Sequence, residues 1–204
     1  MKNVSCGLAY LVDDDEAMRD ALAWLLRSRG VESRAWPSAE AFLADYQAEM
    51  RGCLVLDMRM HEMTGMELFE HLQGLGCTLP VIFLTGHGDV PMAVQAVKKG
   101  AFDFLEKPFE DNALADRIIA ALALDARNSA QAVEQETLKA RFALLSPREH
   151  EVMQGILSGK LNKVIADALN ISMRTVEVHR AHVFEKMGVK SAVELAQVAR
   201  RLGG

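Results

Sequence analysis

Short apolar runs alternate with longer segments of helical period along the first 110 residues. The apolar runs predict strands at 8–12, 31–35, 53–56, 81–84 and 101–105, and apolar positions three or four apart predict helices at 16–29, 38–47, 65–74 and 90–99. A fifth helix is expected to begin near Asp111. Strands that alternate with helices form a parallel sheet covered on both faces. The pattern therefore predicts an α/β fold with a five-stranded doubly wound sheet of order 2-1-3-4-5.

A long segment without helix breakers follows. Residues 111–142 contain no proline or glycine and are rich in helix-forming residues. The last helix of the sheet is therefore predicted to continue as a helical linker over 125–143, with a break expected at Asn128 and Ser129. A flexible charged tether is the alternative. The linker would separate a domain over 1–124 from a second domain over 144–204.

Four short helices and no strand are predicted in the second domain. Ser-Pro-Arg-Glu at 146–149 has the residue types of a capping box with proline at the first helical position. The predicted helices run over 147–159, 163–169, 173–187 and 192–202, with Ser146, Asn162, Ser172 and Ser191 as their N-caps and Gly188 closing the third. A tight turn between the second and third helices is typical of a small all-α helix-turn-helix domain.

Composition indicates a folded chain outside the membrane. Of the 204 residues, 50% are hydrophobic and 25% are charged, which suits packed cores rather than disorder. No apolar run approaches the roughly 18 residues that a membrane helix needs, so a cytoplasmic protein without a membrane partner is expected. Cys6, Cys53 and Cys77 are odd in number and lack CxxC spacing, which favours free thiols over a disulfide or metal site.

The two predicted domains differ in charge. Residues 1–140 hold 13 Lys and Arg against 22 Asp and Glu, a balance of −9, whereas residues 141–204 hold 10 against 6, a balance of +4. A compact basic module suits the phosphate backbone of a nucleic acid. A basic surface that is merely solvated is the alternative, and charge alone does not separate the two.

Aspartates follow strands whose C-terminal ends should meet. Asp13 and Asp14 follow the first strand and Asp57 ends the third. These strands are neighbours in the predicted order, so the three carboxylates should converge. Like charges 4 Å apart repel by about 4 kcal/mol at a surface-like effective dielectric, so such a cluster needs raised pKa values or a bound cation. Mg²⁺ suits a site with two or three carboxylates that faces solvent.

Thr85 and Lys107 follow the fourth and fifth strands and add a hydroxyl and an ammonium group to this edge. Together with a metal ion, these groups can surround an anion at Asp57. An aspartate carboxylate can itself act as the nucleophile and form an acyl phosphate. Each aspartate alone is more simply a helix cap or strand-end turn, but their joint placement with Thr85 and Lys107 favours a phosphoryl site.

Residues 8–124 resemble the receiver domain of bacterial two-component response regulators, which has a flavodoxin-like fold. The resemblance rests on VDDD after the first strand, LDMRM around Asp57, MTG at 63–65, LTGHGD from Leu84 and FLEKPF from Phe104. These motifs are specific when they occur together.

The resemblance implies a role for each residue of the acidic edge. Asp57 would accept a phosphoryl group from a sensor histidine kinase, Thr85 and Lys107 would bind that group, and Phe104 would change rotamer with Thr85. Mg²⁺ or Mn²⁺ would be held by Asp14, Asp57 and the main-chain carbonyl of Arg59, with Asp13 acting through water. His61 departs from the family, which usually has proline there, and this leaves the conformation of the loop after Asp57 open.

The third helix of the second domain has a polar face with one apolar residue on it. Val176, Val183 and Met187 fall on the other face and should form the small core. An exposed Val178 among charged neighbours suits contact with thymine methyl groups in the major groove; chance exposure is the alternative. Lys163 begins the preceding helix, where a phosphate contact is favoured.

Residues 144–202 resemble the LuxR-type helix-turn-helix of FixJ/NarL regulators through LSPREHEV, NKVIADAL and ISMRTVEVHRAHVFEKMGVKS, and RTVEVHRA is most like the FixJ branch. The resemblance implies base-facing positions at Glu177, Val178 and Ala181. It implies positions nearer the DNA backbone at Lys163, Arg174, Thr175, His179 and Lys186. Glu177 would accept a hydrogen bond from cytosine N4 or else orient Arg180.

These features together predict a transcriptional regulator that is not an enzyme. Phosphorylation would favour a homodimer that binds double-stranded promoter DNA and acts with RNA polymerase. The alternatives are a phosphotransferase or phosphatase that uses Asp57 as its nucleophile, and a signalling adaptor whose tail binds proteins.

We predict slow self-dephosphorylation. In the family, the residues two beyond the acceptor and two beyond the threonine flank the attacking water, and here they are Arg59 and His87. Neither supplies the carboxylate or amide that usually orients this water. Decay of phosphoryl label from the purified protein should therefore take much longer than seconds, and a lifetime of seconds would contradict the assignment.

Overall fold

The computed structural model describes residues 7–86 and 90–202, apart from the side chains of Val90 and Ala93. The chain divides into two compact units, Met1–Ser129 and Ala130–Gly204. Each unit has its own hydrophobic core. The predicted domain limits at 124 and 144 differ from this division and stay predictions.

The first unit is a five-stranded parallel sheet covered by helices. Its strands are β1 (Leu8–Val12), β2 (Glu32–Trp36), β3 (Gly52–Asp57), β4 (Val81–Thr85) and β5 (Asp103–Glu106). Its helices are α1 (Glu16–Ser28), α2 (Ala39–Asp45), α3 (Gly65–Gly74), α4 (Val90–Lys98) and the start of α5 (Asp111–Ala143). The strand order is β2-β1-β3-β4-β5 and all pairs are parallel, which confirms the predicted fold class.

Alternate residues of the strands feed two separate apolar layers. Leu54 and Leu56 of β3 join one layer, and Cys53 and Val55 join the other. This follows from the twofold period of a strand. All six residues of β3 are buried, as expected for the central strand of a sheet covered on both faces.

The predicted fifth strand began two residues too early. Ala101 donates its N–H to the carbonyl of Ala96 and thus closes α4, with Gly100 at a φ of 102°. Only glycine adopts such a φ without strain. The turn delays the start of β5 to Asp103.

The predicted break in the long helix is wrong. Helix α5 continues from Asp111 to Ala143 without interruption at Asn128 or Ser129. Both residues are weak helix formers, but single weak formers are outweighed by the good formers around them. A helical linker is therefore present.

The second unit begins within α5 and adds α6 (Pro147–Leu157), α7 (Asn162–Leu169), α8 (Met173–Met187) and α9 (Ala192–Leu202). The predicted capping box is present at Ser146 and Glu149, and Ser172 caps α8 as predicted. The assignment of Asn162 as a cap is wrong. Leu161 holds that position without a side-chain hydrogen bond, and Asn162 is the first residue of α7.

The core of the second unit lies between α6, α7, α8 and α9. Val176, Val183 and Met187 are fully buried, as predicted from their helical spacing, and they pack with Val152 of α6 and Leu195 of α9. Because these residues of α8 lie on one face of the helix, the opposite face is exposed to solvent. Cys53 and Cys77 take part in no disulfide within the part of the chain that the structure describes, and Cys6 lies outside it.

Gly65 allows α3 to approach the strand end that carries Asp57. A Cβ atom at Gly65 would lie 2.1 Å from the main-chain oxygen of Asp57, whereas a Cβ at Gly74 of the same helix meets nothing within 4 Å. We predict that Gly65→Ala lowers the free energy of unfolding by about 1–3 kcal/mol through this overlap. Gly74→Ala is the matched control and should be neutral or slightly stabilising. Equal effects in denaturant titrations would contradict the close approach.

Candidate functional site

Three aspartates meet at the C-terminal edge of the sheet. Asp13 follows β1 and Asp57 ends β3, and these strands are paired with Val12 opposite Leu56. One carboxylate oxygen from each of Asp13, Asp14 and Asp57 lies within 4.8 Å of the other two. Asp13 is 2% exposed and Asp57 is 7% exposed, so water screens their mutual repulsion only weakly.

Lys107 provides the cation that faces two of these aspartates. Its Nζ lies 3.0 Å from Oδ2 of Asp13 and 2.5 Å from Oδ1 of Asp57. The main-chain N–H of Lys107 donates to the carbonyl of Thr85 at 2.6 Å, and the peptide bond to Pro108 is cis. The end of β5 therefore delivers this side chain directly onto the acidic cluster.

The pKa values of the pair reflect burial and mutual contact. Burial lowers the pKa of Lys107, but the hydrogen bonds with Asp57 and Asp13 outweigh this and raise it above its ordinary value. Burial raises the pKa of Asp57 by more than the contact with Lys107 lowers it. Lys107 therefore stays an ammonium at neutral pH, and burial of Asp57 raises its pKa by disfavouring the charged form.

The loop after β3 fixes the other oxygen of Asp57. The N–H of Arg59 donates to Oδ2 of Asp57 at 2.9 Å, and the N–H of Met58 donates to the carbonyl of Leu84 at 2.9 Å. The N–H of Gly65 donates to the main-chain carbonyl of Met58 at 3.2 Å, and this hydrogen bond connects the two ends of the loop. The Arg59 residue is exposed, and the metal contact predicted for its carbonyl stays a prediction.

His61 contacts the acidic cluster, which the sequence did not reveal. Its main-chain N–H donates to Oδ2 of Asp14 at 3.1 Å, and Nδ1 of its ring contacts the same oxygen. Partial burial raises the pKa of Asp14, but these hydrogen bonds outweigh it and bring the pKa below its usual value. Proline, the usual residue here, has no N–H to give, so the substitution itself was the signal.

The residues present fit a hard divalent cation. The three converging groups are carboxylates, and oxygen ligands are those that Mg²⁺ and Mn²⁺ prefer. Asp14 keeps 26% of its side chain exposed, which leaves room for retained water. One ammonium opposite three carboxylates leaves an excess of negative charge that such an ion would neutralise.

Thr85 and Phe104 lie on the neighbouring strands β4 and β5. Thr85 is fully buried, and its hydroxyl donates to the carbonyl of Leu105 at 3.3 Å. Phe104 is partly buried and packs against the core layer that contains Phe83. The Thr85 hydroxyl is thus bound to the strand that carries the aromatic residue. His87 lies outside the described residues.

In the second unit, most predicted DNA contacts lie on the outer face of α8. Val178 is 48% exposed, and Arg174, Glu177 and Ala181 are exposed as well. Lys163 is exposed in the first turn of α7. This arrangement leaves a mixed polar and apolar helix face free of the core.

Three of the predicted contact residues also have partners within the second unit. Lys186 places Nζ 2.6 Å from Oε2 of Glu149 and 3.1 Å from the carbonyl of Leu144. Thr175 contacts Ser172, and Arg180 lies over the ring of Phe184. His182, which is not a predicted DNA contact and lies one turn beyond His179, contacts Glu149. Arg180 lies over Phe184, so orientation of Arg180 by Glu177 receives no support. The sequence did not indicate that Glu149 is buried and contacts Lys186, because its residue type at this position was already explained by the capping box.

Two family models match this chain. The response regulator receiver domain matches residues 9–119, and the luxR family of bacterial regulatory proteins matches residues 143–199. These ranges contain the acidic edge of the sheet and the four helices after α5. No helix within the described ranges is long and apolar enough to cross a membrane.

Relatives match over nearly the whole chain. The C4-dicarboxylate transport transcriptional regulatory protein DctR of Rhodobacter capsulatus is 48% identical and covers 93% of this chain and 97% of its own. The transcriptional regulatory protein FixJ of Bradyrhizobium diazoefficiens is 45% identical over 97% of this chain and 96% of its own. A solved structure of the response regulator StyR is 42% identical with a TM-score of 0.88, covering 95% of this chain and 98% of that one.

The geometry and the similarities agree. An acidic cluster with a facing lysine lies at the edge of a 2-1-3-4-5 sheet, and a helix-turn-helix unit with an exposed helix face follows it. Both family models match at these places. The chain therefore belongs to the response regulators of the FixJ/NarL type, transcriptional regulators that join a receiver domain to a LuxR-type DNA-binding domain.

Proposed function

We propose that Asp57 accepts a phosphoryl group from a sensor histidine kinase and that this modification promotes dimerisation and promoter binding. The observation that carries the proposal is the position of Asp57 between Asp13, Asp14 and Lys107. The repulsion between the carboxylates favours binding of a cation, and the ammonium of Lys107 favours binding of a phosphoryl group next to that cation. We propose a cytoplasmic location, since the kinase's phosphoryl group and promoter DNA are both found there.

The reaction transfers a phosphoryl group from a histidine nitrogen of the kinase to a carboxylate oxygen of Asp57. A carboxylate oxygen of Asp57 forms the new P–O bond while the P–N bond of phosphohistidine breaks, and the imidazole nitrogen takes a proton as it leaves. Lys107, 2.5 Å from Asp57, balances the negative charge that arrives. Mg²⁺ or Mn²⁺, held by Asp14, Asp57 and the Arg59 carbonyl with Asp13 through water, would supply charge neutralisation at the phosphoryl oxygens.

The switch begins at Thr85. To donate to a phosphoryl oxygen, its hydroxyl must leave the Leu105 carbonyl that it now contacts at 3.3 Å. This rotation opens space next to Phe104, which is only partly buried. Phe104 then turns inward and changes the surface of β5 and α4. The charge added at Asp57, about −1.5 to −2, drives the rotation.

The surface that would form the dimer lies over residues 90–109. Helix α4 exposes Met92, Val94 and Val97 by 39% to 41% of their area. Val94 and Val97 are three residues apart and share one face of α4, and exposed apolar side chains gain stability when a second surface covers them. We propose that this face pairs two phosphorylated copies, so that two helix-turn-helix units bind half-sites about 34 Å apart or a multiple of this.

The DNA contacts divide into positioning and base reading. We propose that Glu177, Val178 and Ala181 face base edges, and that Lys163, Arg174, Thr175, His179, Arg180 and Lys186 lie nearer the backbone. Lys186 would bind a DNA phosphate only after its contact with Glu149 is broken. RNA polymerase is the expected partner of the bound dimer. A non-enzymatic role fits relatives that are transcriptional regulators.

We predict that Asp57→Asn abolishes phosphoryl uptake from a small phosphodonor in the presence of Mg²⁺. It should also abolish the phosphodonor-dependent gain in dimer by sedimentation and the gain in DNA binding by electrophoretic shift on promoter fragments, because the amide is not a nucleophile for phosphorus. Asp20→Asn, at an exposed position of α1, is the matched control and should behave as the unchanged protein.

Three outcomes separate the rival functions. Phosphodonor-dependent DNA binding that survives Asp57→Asn would defeat the acceptor assignment. Sustained turnover of the donor beyond one equivalent, with no DNA shift, would favour a phosphatase. A protein that takes up one phosphoryl group but never shifts DNA would favour an adaptor.

We predict different effects from substitutions at the two DNA-facing helices. Lys163→Ala should weaken binding to all sequences and reduce the slope of log K against log salt by about 1, because one phosphate contact is lost. Val178→Ala should change preference at one base pair by about 1 kcal/mol, because a methyl contact is lost. Lys139→Ala and Val133→Ala, both exposed on α5, are matched controls. Uniform effects of both test substitutions in binding isotherms would remove the groove assignment.

A further inference from the structure

We propose that Glu149, His179 and His182 form a zinc-binding site in the second unit, separate from the carboxylate site of the sheet. One ligand atom from each residue lies within 4.8 Å of the other two. His179 and His182 are three residues apart on α8 and therefore share a face. Glu149 comes from the first turn of α6. The site would join two helices that are distant in sequence.

His179 carries a ring nitrogen that the protein does not use. Its Nδ1 is buried and has no hydrogen-bond partner within the part of the chain that the structure describes. Buried polar atoms nearly always have a partner, since leaving one without a partner is unfavourable. A metal ion bound to Nδ1 of His179 would give this atom the partner that its surroundings lack.

Glu149 divides its two oxygens between different tasks. Oε2 accepts from the main-chain N–H of Ser146 at 2.7 Å and from Nζ of Lys186 at 2.6 Å. Oε1 lies 3.5 Å from Nδ1 of His182. Ligand atoms of tetrahedral zinc, each about 2.0–2.1 Å from the metal, lie about 3.4 Å apart. Oε1 and Nδ1 thus already have the separation of two ligands, and the helix cap stays intact.

The chemistry of this cluster selects zinc rather than magnesium. Two imidazoles and one carboxylate suit Zn²⁺, whereas Mg²⁺ prefers oxygen ligands alone. Three protein ligands leave a fourth position, which water would fill because His182 is 51% exposed on its side chain. The ammonium of Lys186 shares the carboxylate, so affinity will be lower than that of a closed structural site.

Zinc titration of the full chain tests the proposal. The titration contains excess Mg²⁺, which occupies the carboxylates of the sheet, and it contains no DNA or phosphodonor. A chromophoric chelator competes with the protein for zinc and reports the zinc affinity. We expect one zinc per chain at this site and a higher midpoint of thermal unfolding for the second unit. His182→Gln should weaken that binding by about tenfold or more and remove the shift in midpoint. Cobalt in place of zinc should give a visible band that this substitution removes.

His71→Gln is the matched control, because His71 is exposed on α3 and should bind zinc as the unchanged protein does. His179→Gln provides a second removal of a ligand, and circular dichroism checks that each variant is folded. Zinc affinity unchanged in both folded variants would overturn the site, as would no zinc uptake by the unchanged chain. Either failure leaves phosphorylation at Asp57 untouched, since neither measurement involves it.

Discussion

The contact between the Lys107 ammonium and the carboxylates of Asp13 and Asp57 is the interaction on which the receiver domain depends. It places one positive charge against buried negative charges at 3.0 and 2.5 Å. Partial burial of all three groups makes the contact strong and makes removal of any partner costly. The same contact holds Asp57 where an incoming phosphoryl group would meet an ammonium. Under the proposed function, the chemistry would use the same atoms that stabilise this edge of the sheet.

The parallel sheet makes that contact possible. Pairing of β1 with β3 and of β4 with β5 brings four strand ends to one edge, although their residues lie up to 94 positions apart. Gly65 lets α3 approach the end of β3 without a side chain in the way. The Thr85 hydroxyl then links this edge to β5 through Leu105. This contact is the one on which the proposed switch from Asp57 to the surface of α4 and β5 rests.

In the DNA-binding domain, a buried carboxylate has a comparable organising role. Glu149 is 3% exposed and joins the cap of α6 to Lys186 at the end of α8. The hydrogen bond from Lys186 and that from Ser146 lower the pKa of Glu149 to about 2. Its carboxylate therefore stays charged across the physiological range and joins the start of α6 to the end of α8. The exposed face of α8 with Val178 lies opposite Val176, Val183 and Met187, which are buried in the core.

The sequence by itself determined the fold class and the capping box of α6, because periodicity and turn residues are local properties. The strand order and the meeting of the aspartates at one edge followed from the rules by which alternating strands and helices connect. Local rules failed at Asn128, where neighbours outweigh a weak helix former, and at Asn162, where Leu161 is the cap. Only the tertiary structure brought His61 to Asp14, Lys186 to Glu149, and His182 beside Glu149. Such contacts depend on distances between elements far apart in the chain, which no local pattern encodes.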